Sequence, residues 1–338
     1  MRRVNIKRIG VLTSGGDAPG MNATTRSVVR YAIHRRTEVV GIMRGFAGLI
    51  NEELAQLDHR SVSNIINRGG TILKTARSDE FLTKKGQGRA VSVIKRNKID
   101  ALVLIGGDGT YRGGIALERM WNIPCVGVPG TIDNDINGTE ATIGADTAVN
   151  TALDAIDKIR DTATSMERIF VVEVMGKDCG FIALQVALAG GAEDALIPER
   201  KFNFKDMCAD IVEGNLRGKI SWIIIVAEGA PLPPEFMIIK GRRISRADQI
   251  AQQITKITSL ETRVVVLGHI QRGGIPTATD RILATRLGAA AVDVLLHGEH
   301  RKAVGITSEK IKVVDLEFAV KKKALSVDNL YRLIRILT

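Results

Sequence analysis

Apolar runs of strand length alternate with helical segments through nearly the whole chain. Ile9–Thr13, Val39–Met43, Ala101–Ile105 and Cys125–Val128 read as strands, and Ile169–Val174, Trp222–Ala227, Val264–Leu267 and Val304–Thr307 continue the series. Between them lie helical stretches at Ala23–His34, Val91–Asn97, Thr147–Ile159, Ile182–Ala189, Ala247–Thr258 and Arg281–Leu296. The strand runs are continuously apolar rather than alternating, which implies burial on both faces and parallel sheets sandwiched by helices. So many βα units exceed one comfortable sheet. The expectation is an α/β fold of two doubly wound, three-layer α/β/α domains with mainly parallel sheets. A (β/α)8 barrel is the rival on strand count. No linker marks the boundary, and the Gly- and Asp-rich stretch Asn137–Asp146 is the best first crossing. Pro231–Arg243, with three prolines followed by Lys240, Arg242 and Arg243, breaks the rhythm and reads as a surface loop or hairpin.

Composition narrows the class. A chain of 338 residues with 45% hydrophobic and 25% charged positions has ample material for a buried core. Its 34 glycines suit many tight strand-to-helix turns. The three cysteines, Cys125, Cys179 and Cys208, share no metal-ligand spacing and suggest a reduced, cytoplasmic setting. No signal peptide is expected, because Met1–Arg8 is basic but Ile9–Leu12 is too short for an h-region. The longest apolar run, Ile220–Ala227, is too short to span a bilayer, so no membrane is expected. The net charge of +11 is spread along the chain with no basic arm. That distribution favours phosphate-bearing small ligands over nucleic acid. Lys321–Lys323 reads as a solvated face.

The chemistry gathers at strand ends. Cys125–Val128 runs into Pro-Gly-Thr-Ile-Asp-Asn-Asp, placing Asp133 and Asp135 two residues apart. Alternate residues of an extended segment point the same way, and two such carboxylates repel each other and cost desolvation energy. A hydroxyl to deprotonate, a cation, or nearby arginines would offset that cost; a solvated Asx turn is the bland alternative. The first strand leads into Thr13–Asn22, whose glycines let backbone N–H groups approach an anion at a helix N-terminus. It is neither a P-loop nor a dinucleotide fingerprint. Ile105–Thr110 offers Asp108 between Gly107 and Gly109, either for a cation bridging phosphates or as an N-capping turn. Gly268–Gly274 carries His269 and Arg272, and Arg263 precedes the same strand, a set suited to a phosphate dianion. Arg26 and Arg30, four apart on the first helix, are either solvated or part of a second anion site.

Taken together these residues resemble the bacterial-type ATP-dependent 6-phosphofructokinases, from the first strand to around Gly305. The match rests on Gly15–Asn22, Arg68-Gly-Gly-Thr71, Thr75-Ala-Arg77, Gly106–Thr110, Pro129–Asp135, Glu173-Val-Met-Gly176, Ala227-Glu-Gly229 and Gly268–Gly274. Gly-Gly-Asp-Gly-Thr alone is shared with other kinases; the aspartate loop and the Gly268–Gly274 segment make the match specific. The resemblance implies Asp133 as the base toward the sugar 1-hydroxyl, Asp135 as the second loop carboxylate, and Asp108 as the Mg2+ carboxylate. It implies ATP contacts from Gly16, Phe46, Arg77, Ser78 and Gly107–Thr110, with Gly109 among them, and counts Arg77 with the catalytic groups. Fructose 6-phosphate would meet Thr131, Asp133, Met175, Gly176, Lys177, Glu228, His269 and Arg272, with Arg168 and Arg263 supplied by a neighbouring subunit. A homotetramer with shared active sites follows, as does an effector site for ADP or phosphoenolpyruvate from Arg26, Arg30, Arg160, Glu193, Arg217 and Lys219. The domains implied are 1–144 with 271–320 for ATP, and 145–270 with 321–338 for the sugar phosphate.

Two glycines bear on the donor. Pyrophosphate-using relatives typically carry Asp at the position of Gly109 and Lys at that of Gly130, so Gly at both points to ATP. A pyrophosphate-dependent or other sugar-phosphate kinase is the nearest alternative, and a silent phospholigand sensor the more distant one. Lys177 stands where the family usually has Arg, Phe46 where Tyr is common, and Asn64 where an acid is common. Lys177 keeps the charge and loses the bidentate fork. The segment after Glu228 is longer than in the short bacterial enzymes, and the tail beyond about Lys310 matches poorly.

Overall fold

The computed structural model describes residues 6–232 and 244–337. Residues 233–243, most of the expected surface loop or hairpin, lie outside the described residues. The strands are β1 (Arg8–Thr13), β2 (Glu38–Ile42), β3 (Leu54–Leu57), β4 (Ala101–Gly106), β5 (Cys125–Pro129), β6 (Ile169–Val174), β7 (Asp194–Leu196), β8 (Trp222–Ala227), β9 (Thr262–Val266), β10 (Lys302–Thr307) and β11 (Lys310–Asp315). The helices are α1 (Met21–His34), α2 (Gly45–Ile50), α3 (Lys84–Arg96), α4 (Asp108–Trp121), α5 (Ala145–Met166), α6 (Phe181–Ala189), α7 (Phe204–Leu216), α8 (Arg246–Thr258), α9 (Ala278–Leu296), α10 (Leu316–Ala319) and α11 (Asp328–Leu337). No helix among the described residues is long and apolar enough to cross a membrane.

The chain forms two compact units, one from residues up to Thr147 with Arg272–Lys323, the other from Ala148–Gln271 with the residues from Ala324. Each has its own open sheet, which removes the barrel alternative. In the first unit the strand order is β11-β10-β5-β4-β1-β2-β3. The five central strands run parallel, while β3 and β11 pair antiparallel at the edges. The order reverses between β1 and β4, a switch point where loops diverge and leave a crevice. β4 is fully buried, with Leu102 and Leu104 joining Leu12, Phe46, Val91, Ile94 and Leu117 in one apolar cluster. In the second unit β7-β8-β6-β9 are all parallel. Ile169, Val171, Ile224 and Val226 pack there against Phe204, Met207 and Ile211 of α7 and Ile250 and Ile254 of α8.

Several elements escaped the hydrophobic pattern. Helix α4 carries Gly109, Gly113 and Gly114, which lower its intrinsic propensity by roughly 1 kcal/mol each relative to alanine. Packing overrides that cost. A Cβ at Gly113 would lie 2.5 Å from the Phe46 ring, and one at Gly114 would lie 2.4 Å from Leu104 Cδ1. β3 and β7 are short, and β11 is an exposed edge with three lysine or aspartate positions among six.

Buried carboxylates fasten the long-range joints. Asp280, fully buried, accepts from Gly144 N (2.8 Å), Thr147 N (2.8 Å) and Thr147 Oγ1 (2.5 Å), holding the start of α5 where the chain leaves the first unit. In the second unit Tyr331 of α11 donates to Asp194 Oδ1 at 2.8 Å, and Arg335 reaches both Asp194 and Asp210. Burial pushes the Asp194 carboxyl above its ordinary range.

Candidate active site

In the first unit three loops leave neighbouring strands β1, β4 and β5 at the same carboxyl edge, and backbone bonds knit them together. Ser14 N donates to Ile105 O (3.1 Å), Gly130 N to Gly106 O (3.1 Å), and Thr110 Oγ1 to Ser14 O (3.0 Å). The spacing is tight. A Cβ at Gly106 would fall 2.3 Å from Thr110 Oγ1 and 2.5 Å from Ser14 O, so this position is closed to any other residue. Helices α1 and α4 begin on this edge, and their unsatisfied N–H groups make it favourable to phosphate.

The β1 loop is held from two sides. Asn22 Nδ2 donates to Arg68 O (3.0 Å) and Gly69 O (3.1 Å), while its Oδ1 accepts from Ile72 N (2.7 Å). Thr13 Oγ1 lies 3.0 Å from Thr71 Oγ1 and donates to Lys74 O at 2.8 Å. Asn22 thus pins the Arg68–Thr71 motif to the Gly-rich β1 turn, a task that its place after that turn could have signalled. Arg272 belongs to this unit and donates to Asp17 O at 3.1 Å. Its guanidinium lies where a Cβ on Gly16 would stand, 2.5 Å from Nη1, so the missing side chain of Gly16 leaves room for the arginine.

Asp108 opens α4, partly exposed, with an ion pair to Arg112 at 3.4 Å. Gly107 lies beside Thr131, and a Cβ at Gly109 would meet nothing within 4 Å. Asp133 is buried (7% exposed) and its N–H donates to Thr131 Oγ1 at 3.3 Å, while Thr131 O accepts from Thr142 Oγ1 at 2.6 Å. Asn134 between the two aspartates adopts the left-handed conformation at φ 51°. Asp135 is half-buried; burial, with the Asp135 charge adding to it, pushes the Tyr111 hydroxyl well above its ordinary range. Arg77 is exposed, and Ser78 Oγ accepts from Phe81 N at 3.3 Å. Phe46 is buried, its ring stacked on Phe81 at 4.0 Å and 14°, so one face is already occupied by the core.

No group of three or more His, Cys, Asp or Glu among the described residues could by itself hold a metal ion. A Mg2+ ion carried on a nucleotide takes one or two carboxylates and completes its shell with phosphate oxygens and water. Asp108, on a helix N-terminal edge with open space beside Gly109, has the chemistry for such a partial shell.

In the second unit the carboxyl ends of β6, β8 and β9 bring together Met175–Lys177, Glu228 and His269. Glu228 Oε1 accepts from Gly176 N (3.2 Å) and Lys177 N (2.7 Å), which ties the β8 and β6 loops together. Lys177 is exposed and sits at φ 54°, an uncommon conformation held by this contact and by Gly229, where a Cβ would fall 2.0 Å from Lys177 O. Glu173 received no role from the sequence. It accepts from Ala247 N (2.9 Å) at the start of α8, and burial, with Glu228 and Asp248 adding to it, raises its carboxyl above the ordinary range.

Arg168 and Arg263 do not join that group. They lie at the opposite, amino end of β6 and β9 and share Glu261, with Arg168 Nε at 2.7 Å from its carboxylate. A strand of this length separates its ends by about 20 Å. The expected effector residues of this unit partly converge. Glu193 takes Lys219 at 3.2 Å and Arg160 at 4.0 Å, while Arg160 also donates to Gly190 O and Gly191 O at 2.6 Å each. Arg217 instead pairs with Glu213 on its own helix. Arg26 and Arg30 lie half-buried on α1 of the first unit.

The chain matches the family model described as phosphofructokinase over residues 8–295. It is 51% identical over 333 residues to an ATP-dependent 6-phosphofructokinase of Halothermothrix orenii, covering 98% of this chain and all of that protein. A Bacillus pumilus protein of the same description is 53% identical over 328 residues, covering 97% and 98%. Among solved structures, phosphofructokinase from Saccharomyces cerevisiae superposes with a TM-score of 0.83 at 36% identity, covering 93% of this chain and 45% of the yeast chain. A pyrophosphate-dependent phosphofructokinase from Marinobacter aquaeolei shares the fold, with a TM-score of 0.82 at 23% identity over 98% of this chain and 91% of that one. The chain belongs to the phosphofructokinase family.

Proposed function

We propose that the protein transfers the γ-phosphoryl group of ATP to the 1-hydroxyl of fructose 6-phosphate, giving fructose 1,6-bisphosphate and ADP. The carrying observation is the convergence of the Gly-rich β1 turn, the Asp108 turn and the Asp133 loop on one sheet edge. The near full-length identity to proteins described as ATP-dependent 6-phosphofructokinases supports it. The first unit carries the nucleotide groups: Gly16, Arg77, Ser78, Gly107, Asp108, Gly109 and Thr110, with Phe46 at the base of the adenine region. The second carries the sugar-phosphate groups Met175, Gly176, Lys177, Glu228 and His269; Thr131 and Arg272 are sugar-phosphate groups of the first.

Phosphoryl transfer is mostly positioning and charge neutralisation. Asp133 accepts the hydroxyl proton as the oxygen attacks, and Asp135 holds its charge beside it. Asp108 would hold Mg2+, which when bound neutralises the phosphate oxygens as charge shifts toward the leaving ADP. Arg77 adds a cation on the nucleotide side. Arg168 and Arg263, at the amino end of their sheet, suit delivery to a neighbouring copy's 6-phosphate; the homotetramer is proposed on the resemblance to the family. A soluble cytoplasmic setting goes with that chemistry.

Measurement of ADP formation with fructose 6-phosphate, run beside pyrophosphate as donor, tests the reading; turnover with pyrophosphate alone overturns it. Gly109→Asp sharpens the result. Open space receives the new side chain, and an acid in the first turn of α4 is favoured by about 0.3–1 kcal/mol. Melting temperature is therefore expected to hold while kcat/KM for ATP falls at least about tenfold through repulsion of the phosphates. Unchanged ATP use would remove Gly109 from the choice of donor.

The cationic residues Arg26, Arg30, Arg160, Arg217 and Lys219, with Glu193, are proposed as an effector site for ADP or phosphoenolpyruvate. Arg26→Ala is expected to abolish the response to either effector in a fructose 6-phosphate titration and to spare the maximal rate. A retained response would place regulation elsewhere.

A further inference from the structure

The basic run Lys321–Lys323 does not behave as a uniform solvated face. Lys321 and Lys322 are exposed, but Lys323 turns back to the aspartate loop. Its Nζ donates to Asn134 Oδ1 at 3.2 Å and to Glu140 O at 3.4 Å. Asn134 Nδ2 in turn donates to Glu140 O at 3.1 Å. An ammonium can only donate, so it fixes the orientation of the amide: Oδ1 faces Lys323 and Nδ2 faces the Glu140 carbonyl. The residue locked in this way stands between Asp133 and Asp135, is 2% exposed, and holds a left-handed backbone. That conformation is tolerated by asparagine and is kept where the surroundings over-determine it.

The rest of the strap delivers Lys323 to this place. Asn137 N donates to Ala319 O at 3.1 Å, and Asn137 Nδ2 donates to Lys321 O at 2.8 Å and Lys322 O at 3.2 Å. Beneath it, Ile136 packs with Tyr111, Ala303, Leu316 and Ala319 in a buried cluster. The segment from Ala319 to Lys323 is thus bonded along the back of the loop that carries both carboxylates.

We propose that Lys323 is a positioning residue for the phosphoryl transfer, acting through the Asn134 amide to hold the turn that aims Asp133 and Asp135. The proposal rests on the reading of Asp133 as the base. Its chemistry follows from the geometry: a misplacement of about 1 Å at a reacting group costs up to about a hundredfold in rate. A charged strap from the chain's far end resists such a shift better than the turn alone.

The test is a mutant cycle on the full chain with fructose 6-phosphate and ATP. Lys323→Met is expected to lower kcat about tenfold or more, with KM for ATP within about twofold and little change in melting temperature. Lys323→Arg, which keeps a donating cation, is expected to recover most of the rate. Lys323→Gln, with a neutral donor, gives a second reading should the methionine variant fold poorly, and is expected to fall between the two. Asn134→Ala reproduces the loss, and Lys323→Met on that background adds little further, because the lysine acts on the turn through the Asn134 amide. A kcat within about twofold of the parent in both Lys323→Met and Lys323→Gln overturns the proposal, as do losses that multiply in the double variant. Asp133→Ser in the same assay separates the two ideas. Retained turnover there removes the base itself, whereas an inert Lys323 beside a dead Asp133→Ser removes only the strap.

Discussion

Asp133→Ser lowers kcat at least about a hundredfold while the fold persists, an expected loss of roughly 2.7 kcal/mol of transition-state stabilisation. The carboxylate sits at the end of β5, 7% exposed, with its backbone held by Thr131 and with the left-handed Asn134 behind it. A serine hydroxyl at that place cannot accept the substrate proton at neutral pH. Asp133→Asn keeps the shape and removes the acceptor, so both variants should fall together, with KM for ATP nearly unchanged. Melting temperature is expected to hold or rise, because a partly buried acid beside a second acid opposes folding. Turnover near that of the parent enzyme would end the assignment of Asp133 as the base.

Glu118→Ala is expected to destabilise the first unit by about 3–5 kcal/mol, chiefly because the backbone N–H groups of Cys125 and Arg301 lose their acceptor. Glu118 on α4 is the joint at the amino end of β5 and β10. Its side chain is 2% exposed and accepts from Cys125 N (2.7 Å), Arg301 N (2.6 Å), Arg301 Nε (3.1 Å) and His300 Nδ1 (3.2 Å). Removing it strands two backbone N–H groups, each costing about 1–3 kcal/mol, while the half-exposed Arg301 keeps its contact with water. The readout is a fall in melting temperature of roughly 6–20 °C, with kcat per folded enzyme retained, since the joint lies at the opposite end of β5 from Asp133. Glu118→Gln keeps one acceptor oxygen and should lose about half as much. A shift below about 3 °C in Glu118→Ala would show that the strands hold their register without it.

Glu118 holds the amino end of β5 from α4 and Asp133 follows its carboxyl end, and the two differ in how legible they were. Asp133 stood out because an apolar run, a Pro-Gly stop and two acids are all local features. Glu118 did not, because its partners lie up to 183 positions away and nothing in Leu-Glu-Arg announces them. The same split runs through the fold. The eight strands expected from continuous apolar runs are present, as are the six helices at helical spacing. Helix α4 was hidden by its glycines, and β3, β7 and β11 by brevity or exposure. Lys321–Lys323 carried the composition of a solvated face, and the pattern could not say that Lys323 folds back on Asn134.

By itself the sequence determined which segments are buried on both faces, where the strands stop, and which acids, glycines and cations stand at those stops. These are properties of residues within a few positions of one another, where periodicity and backbone sterics act. Tertiary structure alone decided the strand order that makes the β1, β4 and β5 loops neighbours. It alone joined Arg168 and Arg263 on Glu261, and set one face of Phe46 against Phe81. It alone set Lys323 against the residue between the two aspartates. Pairing of that kind depends on contacts between distant parts of the chain, whose energies are comparable for many arrangements until the whole core has formed.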